Sequence, residues 1–419
     1  MAEGKVDLDA IELVRVLWSD LHGVARGKDV LPQAFGKIVE QGISFARASL
    51  LTDLGANPVH GPESTGSGWP DAVARPDVST AIRVGDELVC VADVDDPGLS
   101  SRSVLRAQLN GLEGTPIVGP ELEFSLLRPD PWRLYVERDT AGYVVGTAND
   151  PDGMLPLLLR TLAPLGAYAG NQEVGGGQFE INLDHTPALT AADNAFLMKH
   201  LVKEVAASKG LRATFMGRPF DGEAGNGLHI HLSLRGDNGV NLFDDPSAPY
   251  GLSRRALSFV AGVLAHAPAL SAILNPTVNA YKRLGFGLAP ISAYWGLDNR
   301  AAYIRIPPGR GESARLEVRI GDGAANPYLA LAALLAAGAD GVDCAMLPPE
   351  PVTTDNPAGG PPLPSSLGAA LDALEQDKVL ADRLGGGFVE AYLRLKRQEL
   401  DRFAKAVTDW EFREYSWLL

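Results

Sequence analysis

Four separate stretches of this 419-residue chain alternate apolar and polar side chains with a period of two. This is the period of a β-strand with one face on an apolar core, because successive side chains point to opposite faces of a sheet. The polar positions in the four stretches carry Glu, His or Arg, with a few small polar residues between them. The stretches are residues 118–126, 178–183, 228–234 and 315–320. We therefore predict a sheet with one apolar face and one densely charged face.

The charged face differs from an ordinary solvated sheet surface. Solvent exposure could explain the polar positions of any one strand, but it does not explain the same bias in four. Carboxylates two positions apart on a strand lie about 7 Å apart, and a cluster of them is stable only with cations between them. We therefore predict a divalent-cation site, and its mostly carboxylate donors favour Mg²⁺ or Mn²⁺ over Zn²⁺. The predicted ligands are Glu121, Glu123, Glu173, Glu180, His229 and Glu317.

Five arginines follow one another closely in the last third of the chain, each beside apolar residues. Structural ion pairs are the ordinary explanation for any single one of them. As a set beside the predicted cation ligands, they suit phosphate groups and a substrate carboxylate, which arginine binds with two parallel hydrogen bonds. The chain has no Walker-A glycine loop and no dinucleotide fingerprint, so side chains and metal would have to bind a nucleotide. The arginines are Arg283, Arg300, Arg305, Arg315 and Arg319.

Composition limits the possible functions. A net charge of −15 argues against nucleic-acid binding, which needs a basic face. Cys90 and Cys344 are the only cysteines, so we expect no disulfide framework and a reducing, cytoplasmic location. The N-terminus lacks a signal pattern, and the longest apolar stretch, residues 328–337, is too short to cross a bilayer. We therefore expect no membrane and no nucleic-acid partner.

Strands and helices are intermixed without regular alternation, so we predict an α+β fold. Two hairpins, at 11–31 with a turn at 21–23 and at 81–94, would belong to a small N-terminal domain. The predicted domains are 1–100 and 101–419, in keeping with the length. Residues 49–72 and 348–364 are predicted to be irregular connections. Helices are predicted at 101–112, 151–165, 190–208 with an N-cap near Thr190, 253–274, from 327 onward, 367–384 and 387–417; the last would expose Lys396, Arg397, Glu399 and Asp401.

Six ordered motifs of this chain resemble those of the glutamine synthetase family, and the resemblance covers nearly the whole sequence. Their order and spacing make a chance match unreasonable. The motifs are GPELEF at 119–124, QEVGGGQFEI at 172–181, GLHIHLSL at 227–234, NPTVNAYKRL at 275–284, NRAAYIRIP at 299–307, and RLEVR at 315–319 followed by NPYL at 326–329.

The resemblance implies a fold and an activity. The fold would be a small N-terminal β-grasp-like domain followed by a catalytic domain with an open antiparallel β-barrel flanked by helices. The activity would be ATP-dependent phosphorylation of the γ-carboxylate of glutamate, followed by displacement of phosphate by an amine, with two or more Mg²⁺ or Mn²⁺ ions. Family members form homo-oligomers, so we expect a dodecamer of two hexameric rings with sites shared between subunits.

The resemblance also implies a role for each matching residue. One cation would be held by Glu123, Glu173 and Glu180, and the second by Glu121, His229 and Glu317. On the ATP side would lie His231, Ser233, Arg305 and Arg315. Glutamate would be bound by Arg283 and Arg319 through its α-carboxylate and by Gly225 through its amino group, with Glu123 and His229 also bordering substrate. The catalytic positions would be Arg300, beside the transferring phosphoryl group, and Glu317.

The chain departs from the pattern of ammonia-using family members at several positions. Those members carry a Gly-Tyr-Glu-Ala-Pro flap with a proton-accepting Glu, whereas this chain has GLAP at 287–290, one residue shorter and without an acid. Their Asp-Gly-Ser-Ser-Ile loop is not recognisable near 49–53, where Asp53 is a weak stand-in. Ala224 replaces an Asn near the substrate amino group, and Glu312 replaces a Lys near the nucleotide.

These departures remove the two main acids of an ammonium pocket. We therefore predict a ligase that joins glutamate to a larger alkyl, poly- or arylamine, with Phe286, Leu288 or Trp295 near the amine. Three alternatives remain: an ammonia-dependent glutamine synthetase with a degenerate ammonium site, a non-catalytic relative, and a ligase acting on an acid other than glutamate. Retention of all six metal ligands argues against the non-catalytic reading, and Arg283 with Arg319 argues for an α-carboxylate.

Overall fold

Two β-sheets and eleven α-helices make up the described part of the chain, which confirms the mixed α and β class. The computed structural model describes residues 7–61, 68, 70–129, 131–136, 142–354 and 359–419. The first sheet uses only residues before position 95, and the second uses only residues after position 114. The assignment of two domains with a boundary at 100 stays a prediction.

The first sheet contains six strands in the order β2-β1-β6-β4-β3, with β5 beside β6. Both predicted hairpins are present, as β1–β2 and β5–β6. The neighbouring strands β1 and β6 run parallel. The strands are β1 (Leu13–Ser19), β2 (Ala25–Val30), β3 (Ile43–Ala46), β4 (Asp71–Pro76), β5 (Ile82–Val84) and β6 (Glu87–Val94).

The second sheet contains all four of the predicted charged strands, as β7, β10, β13 and β16. Its order is β14-β15-β16-β13-β7-β10-β9, and β8, β11 and β12 also pair with β7. The prediction of a purely antiparallel sheet is wrong in one place, because β14 and β15 run parallel. The strands are β7 (Thr115–Arg128), β8 (Arg133–Leu134), β9 (Ala167–Gln172), β10 (Gln178–Leu183), β11 (Thr186–Pro187), β12 (Arg212–Thr214), β13 (Gly227–Arg235), β14 (Trp295–Leu297), β15 (Ile304–Ile306) and β16 (Leu316–Asp322).

The helices lie near their predicted positions, but three predicted single helices are each two. The chain bends by 75° between α5 and α6, where Pro268 lies in the first turn of α6 and cannot continue the preceding helix. Asp377 caps α9, and Thr408 forms a capping box with Glu411 at α11, so both breaks have local sequence causes. The helices are α1 (Pro32–Gln41), α2 (Ser101–Leu109), α3 (Met154–Leu162), α4 (Ala188–Ser208), α5 (Arg254–Ala265), α6 (Ala267–Leu274), α7 (Pro327–Asp343), α8 (Leu367–Gln376), α9 (Lys378–Leu384), α10 (Gly386–Lys405) and α11 (Asp409–Tyr415).

Two further helix predictions need correction. Helix α4 begins at Ala188, with Pro187 at its N-cap and no capping side chain, rather than near Thr190. Lys396, predicted on the exposed side of the last helix, is buried. Its Nζ lies 3.0 Å from His22 Nδ1 and 3.0 Å from Glu399 Oε2, because α10 packs beneath the β1–β2 turn.

The core of the second sheet lies between its apolar face and helix α4, and α7 packs on α4. Phe124 of β7 packs against Phe179 of β10 and against Phe215, with ring centroids 6.1 and 5.5 Å apart. Helix α7 begins at the predicted Asn326-Pro327, and the Asn326 side chain accepts from the backbone of the first turn. Asn326 Nδ2 also donates to Asp20 O at 2.9 Å, which fixes the β1–β2 turn to α7.

A buried arginine joins the first sheet to the helices of the second. Arg102 on α2 donates to Asp193 on α4 at 2.8 and 2.9 Å, and also to Asp77 and Asp93 beside and within the first sheet. Tyr328 Oη on α7 donates to the same Asp193 at 2.7 Å. A buried charge is stable only when it is paired and hydrogen-bonded in this way.

Within the described residues, no single helix is both long and apolar enough to cross a membrane. The α5–α6 pair would pass that test by length and composition alone, and it is sharply bent.

We expect stability to depend on pH through His266, at the bend between α5 and α6. Burial lowers the pKa of His266, but Asp377 (Nδ1···Oδ2 2.6 Å) and Asp340 (Nε2···Oδ2 3.2 Å) outweigh it, so its pKa is raised. Its stabilisation is complete below the unfolded-state pKa of about 6.5 and is lost as pH rises through the folded-state pKa. His266→Gln should therefore cost about 3 kcal/mol at pH 6 and less at pH 9, by urea unfolding. The control is His60→Gln, an exposed histidine whose replacement should cost little at either pH. An equal loss of unfolding free energy in His266→Gln at pH 6 and pH 9 would contradict the prediction.

Candidate active site

The register of the second sheet brings the charged strands together on one face. Glu180 of β10 lies directly opposite Glu123 of β7, and His229 of β13 lies opposite Glu121. His231 of β13 lies opposite Glu317 of β16. Directly opposite residues share a face, with Cβ atoms about 5 Å apart. The backbone pairing therefore forces these side chains into one region.

A β-bulge adjusts the charged face at β16. Leu228 pairs with Gly321 and Ile230 pairs with Val318, so two residues of β16 stand opposite the single residue His229. One of these two is Arg319. A bulge re-aims side chains at the edge of a site, and Arg319 here has its Nε donating to Arg300 O at 2.8 Å.

All six predicted metal ligands line one cavity of about 570 Å³, which we name the acidic cavity. Four predicted arginines and Gly225 line it as well. Arg305 was predicted on the nucleotide side, but it lies here, paired with Glu317 at 2.6 Å and Asp298 at 2.7 Å. The predicted residues in the acidic cavity are Glu121, Glu123, Glu173, Glu180, His229, Glu317, Arg283, Arg300, Arg305, Arg319 and Gly225.

The other three predicted residues, His231, Ser233 and Arg315, line a neighbouring cavity of about 230 Å³, which we name the side cavity. The two cavities share Glu121, Tyr168 and Asn182. Glu312, which departs from the family pattern, borders the side cavity. The structure thus places every predicted site residue in one of two adjoining spaces.

Two groups of side chains could each hold a metal ion, because within each group the potential ligand atoms lie within 4.8 Å of one another. One group contains Glu121, Glu180 and His229, and the other contains Glu121, His231 and Glu317. This differs from the predicted division of the ligands, because Glu121 belongs to both groups and His231 takes part. His231 Nδ1 accepts from Arg315 Nε at 3.1 Å, so its Nε2 donates to Glu121 Oε1 at 2.9 Å.

The carboxylates of the acidic cavity have different electrostatic surroundings. Burial raises the pKa of Glu121, but hydrogen bonds from His229 and His231 outweigh it, so its pKa is below the ordinary range. Burial likewise opposes ionisation of Glu317, yet Arg319, the two neighbouring histidines and a hydrogen bond from Arg305 lower its pKa. Burial and the charge of Glu121 raise the pKa of Glu180 to about 8.

Burial and Glu123 similarly raise the pKa of Glu173. Carboxylates that ionise with difficulty beside one another are stabilised by divalent cations. The donor set, mostly carboxylate oxygens with imidazole nitrogen, therefore fits Mg²⁺ or Mn²⁺.

Arg283 is held from behind by a buried carboxylate that the sequence analysis missed. Arg283 Nη2 donates to Ile320 O and Gly321 O at 2.6 and 2.7 Å, and its Nε lies 3.7 Å from Asp322 Oδ2. Gly217 leaves room for Asp322, because a Cβ there would lie 1.8 Å from Asp322 Oδ2. A Cβ at Gly225 would similarly lie 2.6 Å from the Arg283 side chain. Both glycines thus permit the close approach that positions Arg283.

The shortened loop after Arg283 lines one side of the acidic cavity with uncharged residues. Phe286, Gly287, Leu288 and Ala289 all line the cavity, and none carries an acid. The expectation that Trp295 lies near the amine is wrong. Trp295 is 1% exposed and does not line either cavity; its Nε1 donates to Pro349 O at 2.7 Å.

Asp53, the weak stand-in for an ammonium-binding acid, is fully engaged within its own chain. Its buried carboxylate accepts from Gln398 Nε2 at 3.0 Å and pairs with Arg402 Nη1 at 2.8 Å, both on α10. It also accepts from Asn57 at 2.9–3.1 Å. Its surroundings are those of a residue that anchors a loop.

Several cavity residues were not found by sequence reasoning. Asn182 shares the Glu180 face, so the period of two could have identified it. Tyr168 and Tyr143 line the acidic cavity with exposed phenols. Tyr143 lies outside the strands and has a positive φ of 64°, so no periodic signal marks it.

Comparison with known proteins gives a consistent result. The family model for the glutamine synthetase catalytic domain matches residues 98–415. A glutamine synthetase of Methanocaldococcus jannaschii is 42% identical over 336 residues, covering 76% of this chain and 74% of that protein. A glutamine synthetase of Pyrococcus horikoshii is 36% identical over 446 residues, covering 97% of this chain and 96% of that protein.

Solved structures are similar over the same extent. One described as "Apo GmaS without ligand" is 34% identical and covers 97% of each chain with a TM-score of 0.86. Another, "GmaS/ADP complex-Conformation 1", is 33% identical with a TM-score of 0.85 and the same coverage.

The shared position of Glu121 makes a prediction about metal binding. Glu121→Gln should weaken binding of both Mn²⁺ ions by more than about tenfold, whereas Glu180→Gln should weaken only one. Calorimetry or the Mn²⁺ paramagnetic resonance signal measures both number and affinity of the ions. Ser233→Ala, on the same face but without a carboxylate, is the control and should keep both ions. Loss of a single ion in Glu121→Gln would contradict the two groups.

Proposed function

The chain belongs to the glutamine synthetase family and is thus an ATP-dependent ligase that forms carbon–nitrogen bonds; we propose that it joins the γ-carboxylate of glutamate to an amine other than ammonia. The reaction would pass through γ-glutamyl phosphate. One observation carries the proposal: the loop from Phe286 to Ala289 lines the acidic cavity without any carboxylate. A small ammonium ion needs negative charge around it, whereas an organic amine can gain part of its binding free energy from apolar contact.

The cavity residues would divide the work between phosphoryl transfer and substrate binding. Bound Mg²⁺ or Mn²⁺ ions, held by the six carboxylate and histidine ligands, would supply charge neutralisation. The exposed guanidinium of Arg300 would stabilise the transferring phosphoryl group. His231, Ser233 and Arg315 line the side cavity and are proposed to contact ATP; Arg305, paired with Glu317, would act from the acidic cavity.

Glutamate would lie between Arg283 and Arg319, with its amino group at Gly225. Arg283 is well suited to this role because Asp322 and two backbone carbonyls hold its guanidinium before substrate arrives. Such preorganisation lowers the free-energy cost of orienting the γ-carboxylate. Glu123 and His229 would border the same substrate.

The amine must be neutral when it attacks the acyl phosphate. An alkylamine with a pKa near that of lysine is neutral in only on the order of one molecule in a thousand at pH 7. An arylamine would need no deprotonation. The missing flap acid therefore matters more for an alkylamine than for an arylamine.

Ordinary glutamine synthesis is the second candidate. The curated relatives named above, at 36 and 42% identity, are called glutamine synthetases. Against it stand the departures at the amine side: the acid-free loop, and the engagement of Asp53 by α10.

We also propose a homo-oligomer, a dodecamer of two hexameric rings. The carboxyl-terminal segment from Val407 to Leu419 exposes seven large apolar side chains, an unusual concentration that would be covered by another subunit. Light scattering in solution would measure the mass of the assembly. The exposed side chains are Val407, Trp410, Phe412, Tyr415, Trp417, Leu418 and Leu419.

An ADP-release assay tests the proposed reaction. With glutamate and Mg²⁺ or Mn²⁺, at least one of ethanolamine, short alkylamines, polyamines or anilines should support turnover about tenfold faster than ammonia at equal low-millimolar concentration. Mass spectrometry should find the matching γ-glutamyl amide. Glu317→Ala should abolish turnover with every amine. Ammonia as the best acceptor would favour the second candidate, and full activity of Glu317→Ala would reject the metal assignment.

Restoring an acid to the loop should change the acceptor. Leu288→Glu places a carboxylate in the acidic cavity and should raise kcat/KM for ammonia by about tenfold, the usual size of a charge effect at a partly exposed site. Leu288→Gln is the matched control, with the same shape and no charge. If the two variants use ammonia equally well, the missing acid is not what excludes it.

A further inference from the structure

Three exposed apolar side chains line the acidic cavity. Val174 follows the metal-set residue Glu173, and Phe286 and Leu288 come from the shortened loop. Their exposed fractions are 65%, 38% and 52%. Exposed apolar groups gathered in a substrate cavity are normally covered by ligand. They define a surface, the apolar wall, on which the substituent of an acceptor amine would lie.

A cation stands behind this wall. The guanidinium of Arg218 stacks on the Phe286 ring with its Cζ 4.4 Å from the ring centroid. Arg218 does not line either cavity itself, so its charge acts from outside the acidic cavity. Its Nη1 donates to Lys282 O at 3.0 Å. Its backbone N–H and C=O both bond the side chain of Asn279, at 2.8 and 2.9 Å, which holds the arginine in place.

The stack changes what the exposed part of the ring can bind. An aromatic ring attracts cations through the negative charge of its faces, and Arg218 already uses one face of Phe286. A second cation against the same ring would be attracted less and would be repelled by the guanidinium.

The carboxylates of the acidic cavity do not offset that repulsion. Among the described residues, those lining the cavity are Glu121, Glu123, Glu173, Glu180 and Glu317, all in the proposed metal set. Glu223 and Asp221, which precede Ala224 in sequence, line neither cavity. A second ammonium group on the substrate would therefore meet an apolar wall backed by positive charge.

We propose that the acceptor is a monoamine with an uncharged apolar substituent, alkyl or aryl, and that Arg218 and Phe286 exclude diamines and polyamines. This inference rests on the proposed ligase function and narrows its substrate class. The amine nitrogen would face the metal-set carboxylates and the acyl phosphate, and the substituent would lie on Val174, Phe286 and Leu288.

A matched pair of amines tests the inference on the unmodified enzyme. n-Butylamine and 1,4-diaminobutane have the same four-carbon chain and differ by one terminal ammonium group. In the ADP-release assay with glutamate and Mg²⁺, kcat/KM for butylamine should exceed that for the diamine by about tenfold or more. Equal or better use of the diamine overturns the inference, although it leaves the ligase function intact. Failure of both amines, with ammonia active, would instead overturn the proposed use of an amine other than ammonia.

Variants of Arg218 test whether its charge causes the preference for butylamine over the diamine. Arg218→Met keeps the length of the side chain and should bring the two kcat/KM values within about threefold, mainly by improving the diamine. Arg218→Glu should reverse the preference. Arg254→Glu is the control, because Arg254 is an exposed arginine outside both cavities and should keep the wild-type ratio. An unchanged ratio in folded Arg218→Met and Arg218→Glu proteins would overturn the role of Arg218.

Discussion

Repulsion among carboxylates on one face of the large sheet is the constraint on which the site depends. The strand register fixes Glu123 opposite Glu180, so the backbone hydrogen bonds of the sheet keep these groups from separating. The chain supplies its own partners to some of them: His229 and His231 hydrogen-bond to Glu121, and the cations of Arg305 and Arg319 pair with Glu317. Within the part of the chain that the structure describes, no arginine or lysine pairs with Glu173 or Glu180, which accept hydrogen bonds from Asn171 and Asn182, and their pKa values are raised. The negative charge left over is what a divalent ion would neutralise.

Features that depend on local sequence patterns could be predicted from the sequence. The four charged strands were found because alternation is a local property that the pleat of a strand imposes. The start of α7 at Asn326-Pro327 was found for the same reason. The same logic would have separated α8 from α9 and α10 from α11, because Asp377 and Thr408 are recognisable N-caps. Helix breaks were missed where the apolar pattern continued across a cap.

Other features depend on contacts between distant segments, and local patterns do not contain them. Lys396 fits an exposed helix face by periodicity, yet the β1–β2 turn covers it. Trp295 lies close in sequence to the site, but its indole points to Pro349. Arg305 has no local signal for its partner, and the pairing of β15 with β16 puts it beside Glu317. In each case the packing of a second segment decides where the side chain goes.

Arg283, on the proposed glutamate side of the cavity, and the loop 285–289, on the proposed amine side, are joined by backbone hydrogen bonds. Phe286 N donates to Arg283 O at 3.0 Å, Ala289 N donates to Phe286 O at 3.2 Å, and Gly285 N donates to Ala289 O at 3.1 Å. The loop is thus closed by its own backbone, and Gly285 and Gly287 take the positive φ values that so tight a turn requires. Asp322 and Arg218 hold this unit from two sides, one behind Arg283 and the other behind Phe286. A one-residue shortening of such a loop therefore changes more than a single side chain: under the proposed function it would set the distance between Arg283 and the apolar wall, and hence the size of amine that could reach the acyl phosphate.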